Sequence, residues 1–270
     1  MHMKDEKMTL KGYLERLQSQ GQYWFLREEV MGVLKLSESG FKQATRRLIK
    51  HKMVNRIRGD FYTIVPLEYR ATGSLPAAWF IDTLMTHLKQ KYYVGLLTAA
   101  SLHGAAHQQP MIFQIITDKP TRPISVGQLR IVFYIKKNIL PHFYTAIKTN
   151  TGSMQISTPE ITAYDLVRYI NASGQINNVA TVLSELAEKL RINVMATLLE
   201  SNEVEITDAQ RVGYLLDVLK LPIDFEALSN ALEKKKKLKR LLVNGSKRPI
   251  IEYNRRWHIL VNEIVEPDEL

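Results

Sequence analysis

The sequence predicts an α+β protein of two domains, one over residues 1–70 and a larger one over residues 71–270. Three observations lead there. Apolar residues recur at helical spacing between Leu10 and Ile49, and two short alternating runs then flank Gly59-Asp60. Strand-like runs follow at residues 111–117, 130–135, 144–148 and 154–157. From Thr158 onward the apolar period is helical again, so the larger domain is mixed α+β with a helical C-terminal part.

In the first domain, Leu10, Tyr13, Leu14 and Leu17 share one helical face, and Gly21 supplies the left-handed residue at which such a helix stops. Tyr23-Trp24-Phe25-Leu26 is a short aromatic strand. Residues 27–34 make a second helix, with Val30, Met31 and Leu34 facing inward. Lys35-Leu36 turns the chain, and Ser37 is a good N-cap for a third helix. Phe41, Ala44 or Thr45, Leu48 and Ile49 form its expected buried stripe, leaving Ser39, Lys42, Gln43, Arg46, Arg47 and Lys50 outside. Residues 54–58 and 61–65 then alternate around Gly59-Asp60 as a hairpin, and Pro66 closes the unit.

Helix, short strand, helix, tight turn, helix and hairpin is the order of a winged helix-turn-helix domain. The third helix would suit the major groove of duplex DNA, which admits one α-helix. Arginine and lysine on its outer face can meet guanine edges or phosphates, and Gln43 can read adenine. Arg56 and Arg58 on the hairpin would reach the backbone or the minor groove. One basic helix face is by itself more often a solvated surface. Here the helix-turn, the basic face and the basic hairpin agree, which favours DNA binding.

Charge distribution points the same way. The chain of 270 residues carries 37 Lys and Arg against 27 Asp and Glu, a net charge of +10. Residues 1–70 and 71–153 each carry a net +6, residues 154–232 carry −6 and residues 233–270 carry +4. Between Lys35 and Arg58 eight basic residues face one acid, Glu38. Such an excess suits a polyanionic partner.

In the larger domain, residues 75–90 read as an amphipathic helix with Trp79, Phe80, Leu84 and Leu88 on its apolar side. A short helix over residues 98–102 ends at His103-Gly104. Further helices are expected at 159–170, 176–190, 193–201, 208–219 and 225–237, the first opened by Thr158-Pro159-Glu160. Residues 239–243 and 257–261 are two late strand candidates.

Several chemistries are excluded or unsupported. With no cysteine, disulfides, thiol nucleophiles, iron–sulfur clusters and thiolate zinc sites are out. There is no phosphate-cradling glycine loop and no nucleophile elbow. His103 and His107 have ligand spacing but lack an accompanying glutamate motif. Gly73-Ser74, Gly152-Ser153 and Gly245-Ser246 are not followed by the paired aspartates of a nucleotidyltransferase. No catalytic residue, metal site or cofactor is therefore expected. The lysine run 234–240 reads first as a solvated helix end, with a second nucleic-acid patch as the alternative. No apolar stretch has the length of a signal peptide or a membrane span, so a cytoplasmic protein without membrane contact is expected. The ending Pro267-Asp268-Glu269-Leu270 only superficially looks like a retention signal.

Two segments bring a family resemblance. The first is Tyr92-Tyr93-Val94-Gly95, followed by Ala99-Ala100-Ser101-Leu102-His103-Gly104 and the strand Phe113-Gln114-Ile115-Ile116-Thr117. The second is Thr158-Pro159-Glu160-Ile161-Thr162-Ala163-Tyr164-Asp165-Leu166, with Asn178-Val179-Ala180 and the helix after it. Together with the N-terminal domain, these resemble the AbiEi-type antitoxins of bacterial abortive-infection, or type IV toxin–antitoxin, systems. Where the family often has Ser-His-Glu-Ser-Ala, this chain has Gly95-Leu96-Leu97-Thr98-Ala99. The resemblance implies a non-enzymatic protein that binds double-stranded operator DNA at inverted repeats and represses its own operon. It further implies that the protein counteracts a cognate nucleotidyltransferase toxin, with a monomer in solution placing two copies on the repeat. The first rival is a stand-alone winged-helix regulator whose C-terminal domain senses a ligand; the second, a nuclease or transferase with an unrecognised site, is disfavoured by the missing carboxylate clusters.

Overall fold

The computed structural model describes residues 8–105, 110–235, 238–245 and 248–267. His107, Lys236-Lys237, Ser246 and Asp268-Glu269-Leu270, all considered above, lie outside that range, as does the N-terminus through Lys7.

The chain begins with α1 (Leu10–Ser19), β1 (Trp24–Leu26), α2 (Arg27–Leu34), α3 (Glu38–Lys50), β2 (Val54–Arg58) and β3 (Phe61–Ile64). Thr9 caps α1 by accepting from Gly12 N, and Gly21 follows it at φ +77°. The strands form an antiparallel sheet in the order β1-β3-β2, with Trp24 opposite Thr63 and Val54 opposite Ile64. A register shift between Arg56 and Arg58 marks a bulge in β2. Leu10, Leu14 and Leu17 of α1, Val30 and Leu34 of α2, and Phe41 and Leu48 of α3 share a core with Phe25, Val54, Tyr62 and Ile64.

A second, mixed sheet follows, built from β4 (Tyr92–Val94), β5 (Phe113–Thr117), β6 (Ile124–Val126), β7 (Leu129–Ile135), β8 (Tyr144–Thr149) and β9 (Gly152–Ser157). Its order is β6-β7-β5-β4-β9-β8; β5 and β7 run parallel, as do β4 and β9, and β6 and β7 run antiparallel. Two short helices, α4 (Ile81–His87) and α5 (Leu96–Leu102), flank β4 in sequence. Helices follow: α6 (Pro159–Arg168), α7 (Gln175–Leu186), α8 (Ile192–Glu200), α9 (Ile206–Val218) and α10 (Glu226–Glu233). A small sheet ends it, with β10 (Arg240–Leu241), β12 (Ile259–Val261) and β11 (Glu252–Asn254) in that order. The fold is mixed α+β with several sheets.

Contacts gather the chain into two units. One comprises Met1–Tyr93, Met111–Ile139 and Ala146–Gln155; the other comprises Val94–Pro110, Leu140–Thr145 and Ile156–Leu270. The strands β5, β6 and β7 thus belong with the N-terminal helices.

Four expectations are corrected. Residues 75–90 are not one helix: a 3-10 turn over Ala77–Trp79 precedes α4, and Phe80 at φ −138° breaks the helix between them. Pro76 opens the turn without an N–H to donate. The helix expected from residue 98 starts two residues earlier, at Leu96. Strands β6 and β11, three residues each, were not anticipated, because only their neighbours' pairing makes them strands. Ile49 is not in the stripe of α3: it is 41% exposed, and Phe41, Thr45 and Leu48 are the buried residues.

Candidate nucleic-acid interface

The position of α3 is set at its first turn. Lys35 adopts the left-handed conformation at φ 50°, Leu36 N donates to Met31 O at 3.0 Å, and Ser37 caps the new helix by accepting from Gly40 N at 3.2 Å. Such a cap contributes about 1 kcal/mol. The inner face then seats on the three-stranded sheet. Phe41 meets Tyr62 edge-on at 5.7 Å, and Tyr62 in turn stacks on Phe25 at 5.2 Å. Thr45 is accommodated in this apolar face because its hydroxyl donates to Phe41 O within the helix at 2.7 Å.

With that face fixed, the opposite face is determined. Ser39, Lys42, Gln43, Arg46, Arg47 and Lys50 are all exposed. Glu38 sits at the helix start, 3.0 Å from Lys42 Nζ and 3.7 Å from Arg27 Nη1. The hydrogen bond and charge of Lys42, with help from Arg27, hold its carboxyl below the usual carboxylate range. Arg46, Arg47 and Lys50 have no ion-pair partner among the described residues.

Next to this face lies a groove of about 440 Å3, lined by Lys42, Arg46 and Ile49 of α3 together with Arg27, Arg56 and Tyr62. Arg56 is exposed, and its Nε donates to Gly59 O at 2.7 Å across the hairpin turn. Arg58 is half-buried: it donates to the main-chain carbonyl of Arg122 and lies over the Phe133 ring at 5.8 Å. The turn residue Asp60 is 2.9 Å from His87 Nε2. The hairpin is therefore anchored to neighbouring parts of its own unit. Arg27, Ile49 and Tyr62 were not singled out from sequence as groove residues. The signal in the sequence is an isoleucine between cations, but its spacing alone places it in the core stripe.

The second unit is organised by its own caps and buried bonds. Thr158 caps α6 by accepting from Ile161 N, with Pro159 in the first turn. Every residue from Glu160 to Val167 is buried. Glu160 accepts from Arg191 N and Nε at 3.2 and 2.8 Å. Tyr164 donates to Met195 O at 2.9 Å, and burial pushes its hydroxyl well above the usual range. Ser157 and Thr162 share a hydroxyl bond at 2.7 Å. His103 bonds Ser157 O at 2.8 Å, and burial holds its ring below the ordinary histidine value. The segments behind the family resemblance are thus mostly packing residues.

Among the described residues, no group of three or more His, Asp or Glu side chains is placed to hold a metal ion. None of the described helices is long and apolar enough to cross a membrane. In the lysine run 234–240, Lys234 pairs with Glu200 at 2.7 Å, Lys235 donates to Glu200 O and Asn202, and Lys239 lies 4.7 Å over the Tyr253 ring.

Residues 93–218 match the family model described as the AbiEi antitoxin C-terminal domain. The resemblance to AbiEi-type antitoxins is borne out by that match, which supports an antitoxin of a toxin–antitoxin system. No curated protein matches the chain. Among solved structures, the crystal structure of the RV2827C protein from Mycobacterium tuberculosis is similar in fold. It is 12% identical, has a TM-score of 0.65, and the likeness covers 92% of this chain and 89% of that one.

Proposed function

We propose that the protein is a DNA-binding antitoxin that represses its own operon through inverted repeats and counteracts a cognate nucleotidyltransferase toxin. Residues 1–70 are its winged helix-turn-helix module, with α3 as recognition helix, and residues 71–270 are the antitoxic part. The observation that carries the DNA-binding half is the outer face of α3. Its cations project from a helix whose other face is locked by Phe41, Thr45 and Leu48. A rigid helix whose Arg46, Arg47 and Lys50 have no ion-pair partner among the described residues can enter the major groove without first ordering itself. Lys42, Gln43, Arg46 and Ser39 are the base-reading candidates; Arg47, Lys50, Arg56 and Arg58 fit phosphate contacts. Exposed Ile49 in the adjoining groove is suited to a thymine methyl. The antitoxic half rests on the family match over residues 93–218. The protein acts in the cytoplasm, without catalysis of its own, as a monomer that places two copies on the repeat.

The test is a gel shift at fixed salt on the duplex upstream of its own gene. Arg46→Ala with Arg47→Ala should abolish specific binding while far-UV dichroism stays unchanged. Undiminished affinity of that variant would remove α3 from the interface.

One observation favours the rival, a ligand-sensing regulator. An open groove of about 430 Å3 in the second unit, lined by Asn177, Arg248, Ile251, Asn262 and Ile264, falls in the size range of small-molecule clefts. A metabolite that raises the melting temperature and alters operator affinity would support it.

A further inference from the structure

We infer that Arg122, 64 residues from the hairpin in sequence, joins Arg56 and Arg58 in one phosphate-contact strip, so that the DNA footprint runs past residue 70 onto the loop between β5 and β6. This rests on the DNA-binding reading above. The strip starts in the groove, where Arg56 stands with Lys42 and Arg46 of α3. Past the bulge in β2, which sets Arg56 opposite Tyr62 but Arg58 opposite Phe61, Arg58 points to the other side of the hairpin. There it donates to the Arg122 main chain, so the strip wraps around the edge strand rather than along one face. Beyond it the Arg122 side chain is exposed, and among the described residues it has no ion-pair partner.

The loop that presents Arg122 is held in place. Pro120 and Pro123 restrict it on either side. Thr121 Oγ1 donates to Gln90 Oε1 at 2.7 Å, and Asp118 exchanges bonds with Lys91, its carboxylate accepting from Lys91 N at 3.1 Å. The following turn is pinned as well: Gln128 N donates to Thr72 O at 3.0 Å, and a Cβ on Gly127 would come within 2.4 Å of the same oxygen. Arg58 is itself fixed over Phe133. Burial, then the nearby charge of Arg122, makes the Arg58 cation less favourable than in water. An anion beside Arg58 and Arg122 would offset both effects. A phosphate oxygen supplies one, and arginine's planar fork matches it.

Arg122→Ala is a clean probe, because Arg58 bonds the carbonyl of residue 122, which alanine keeps. Full-length wild type, Arg122→Ala, Arg122→Lys and the Arg46→Ala/Arg47→Ala variant are titrated, at several salt concentrations, onto two duplexes. One spans the region upstream of its own gene; the other is an unrelated sequence of equal length. The expected result is that Arg122→Ala weakens both duplexes by a similar factor. The slope of log affinity against log salt should fall by about 0.9, the value of one phosphate contact, and Arg122→Lys should largely restore it. Melting temperatures of the Arg122 variants should match wild type. If Arg122→Ala leaves affinity and slope unchanged while Arg46→Ala/Arg47→Ala loses the upstream duplex, the strip is overturned and the recognition helix stands. If the wild type binds neither duplex, both readings fall.

Discussion

Trp257 lies across Gly213 so closely that a Cβ on that glycine would stand 2.2 Å from the indole ring. Gly213 is in the middle of α9, and Trp257, fully buried, precedes β12. Asp217, one turn further along the helix, accepts from the indole Nε1 at 2.6 Å and from Arg256 at 2.9 Å. The small C-terminal sheet is thereby docked on α9 by shape and by a charged bond together.

Gly213→Ala should therefore destabilise the protein, although alanine is ordinarily the better helix former by about 1 kcal/mol. Forcing the ring away costs about 1–3 kcal/mol and outweighs that gain. Urea unfolding should show a lower midpoint, with altered tryptophan emission in the folded state.

Glu160 links acid stability to α6. Burial pushes its carboxyl up, but the bonds from the Arg191 side chain and main chain outweigh this and leave it below the ordinary range. A folded pKa below the unfolded one gives stability that is complete above the ordinary carboxylate value and lost as pH falls through the lowered one. Glu160→Gln should cost about 1.5–3 kcal/mol at neutral pH, the worth of hydrogen bonds to a charged group. The difference from wild type should shrink below pH 4, as read from melting temperature against pH.

Glu38→Gln should tighten DNA binding. The carboxylate is the acid that holds Lys42 and Arg27 at the start of α3, and it repels phosphate. The pair is exposed and screened by salt, so a gain of about two- to fivefold is expected at low salt, fading as salt rises. A titration by fluorescence anisotropy at two salt concentrations checks this.

Ile49 and Leu48 should part company under mutation. Leu48 is buried in the N-terminal core, so Leu48→Ala should cost about 2–5 kcal/mol. Ile49 is 41% exposed in the groove, so Ile49→Ala should change stability by less than about 1 kcal/mol. Its effect should appear in operator affinity.

Local signals were legible wherever one residue decides the backbone. Ser37, Thr158-Pro159 and Gly21 each mark a helix end within one or two residues of its place. The cations of α3 were legible too, because a helix with one apolar stripe has only one other face. Ile49 was not: by spacing it continues the stripe, and only the seat of α3 on Tyr62 turns it outward. Nor could sequence bring Arg58 to Arg122, Trp257 to Gly213 or Arg191 to Glu160, since those pairings depend on sheet order and helix packing across 31 to 64 residues.

The proposed function gives one chain two separable activities, DNA binding on α3 and toxin neutralisation over the region that carries the family match, residues 93–218. The most direct test is full-length Arg46→Ala/Arg47→Ala, measured for occupancy of its own upstream region and for rescue of cells expressing the cognate toxin. The expected result is lost occupancy with full rescue. Occupancy equal to wild type, or rescue lost from a variant that melts like wild type, would contradict it.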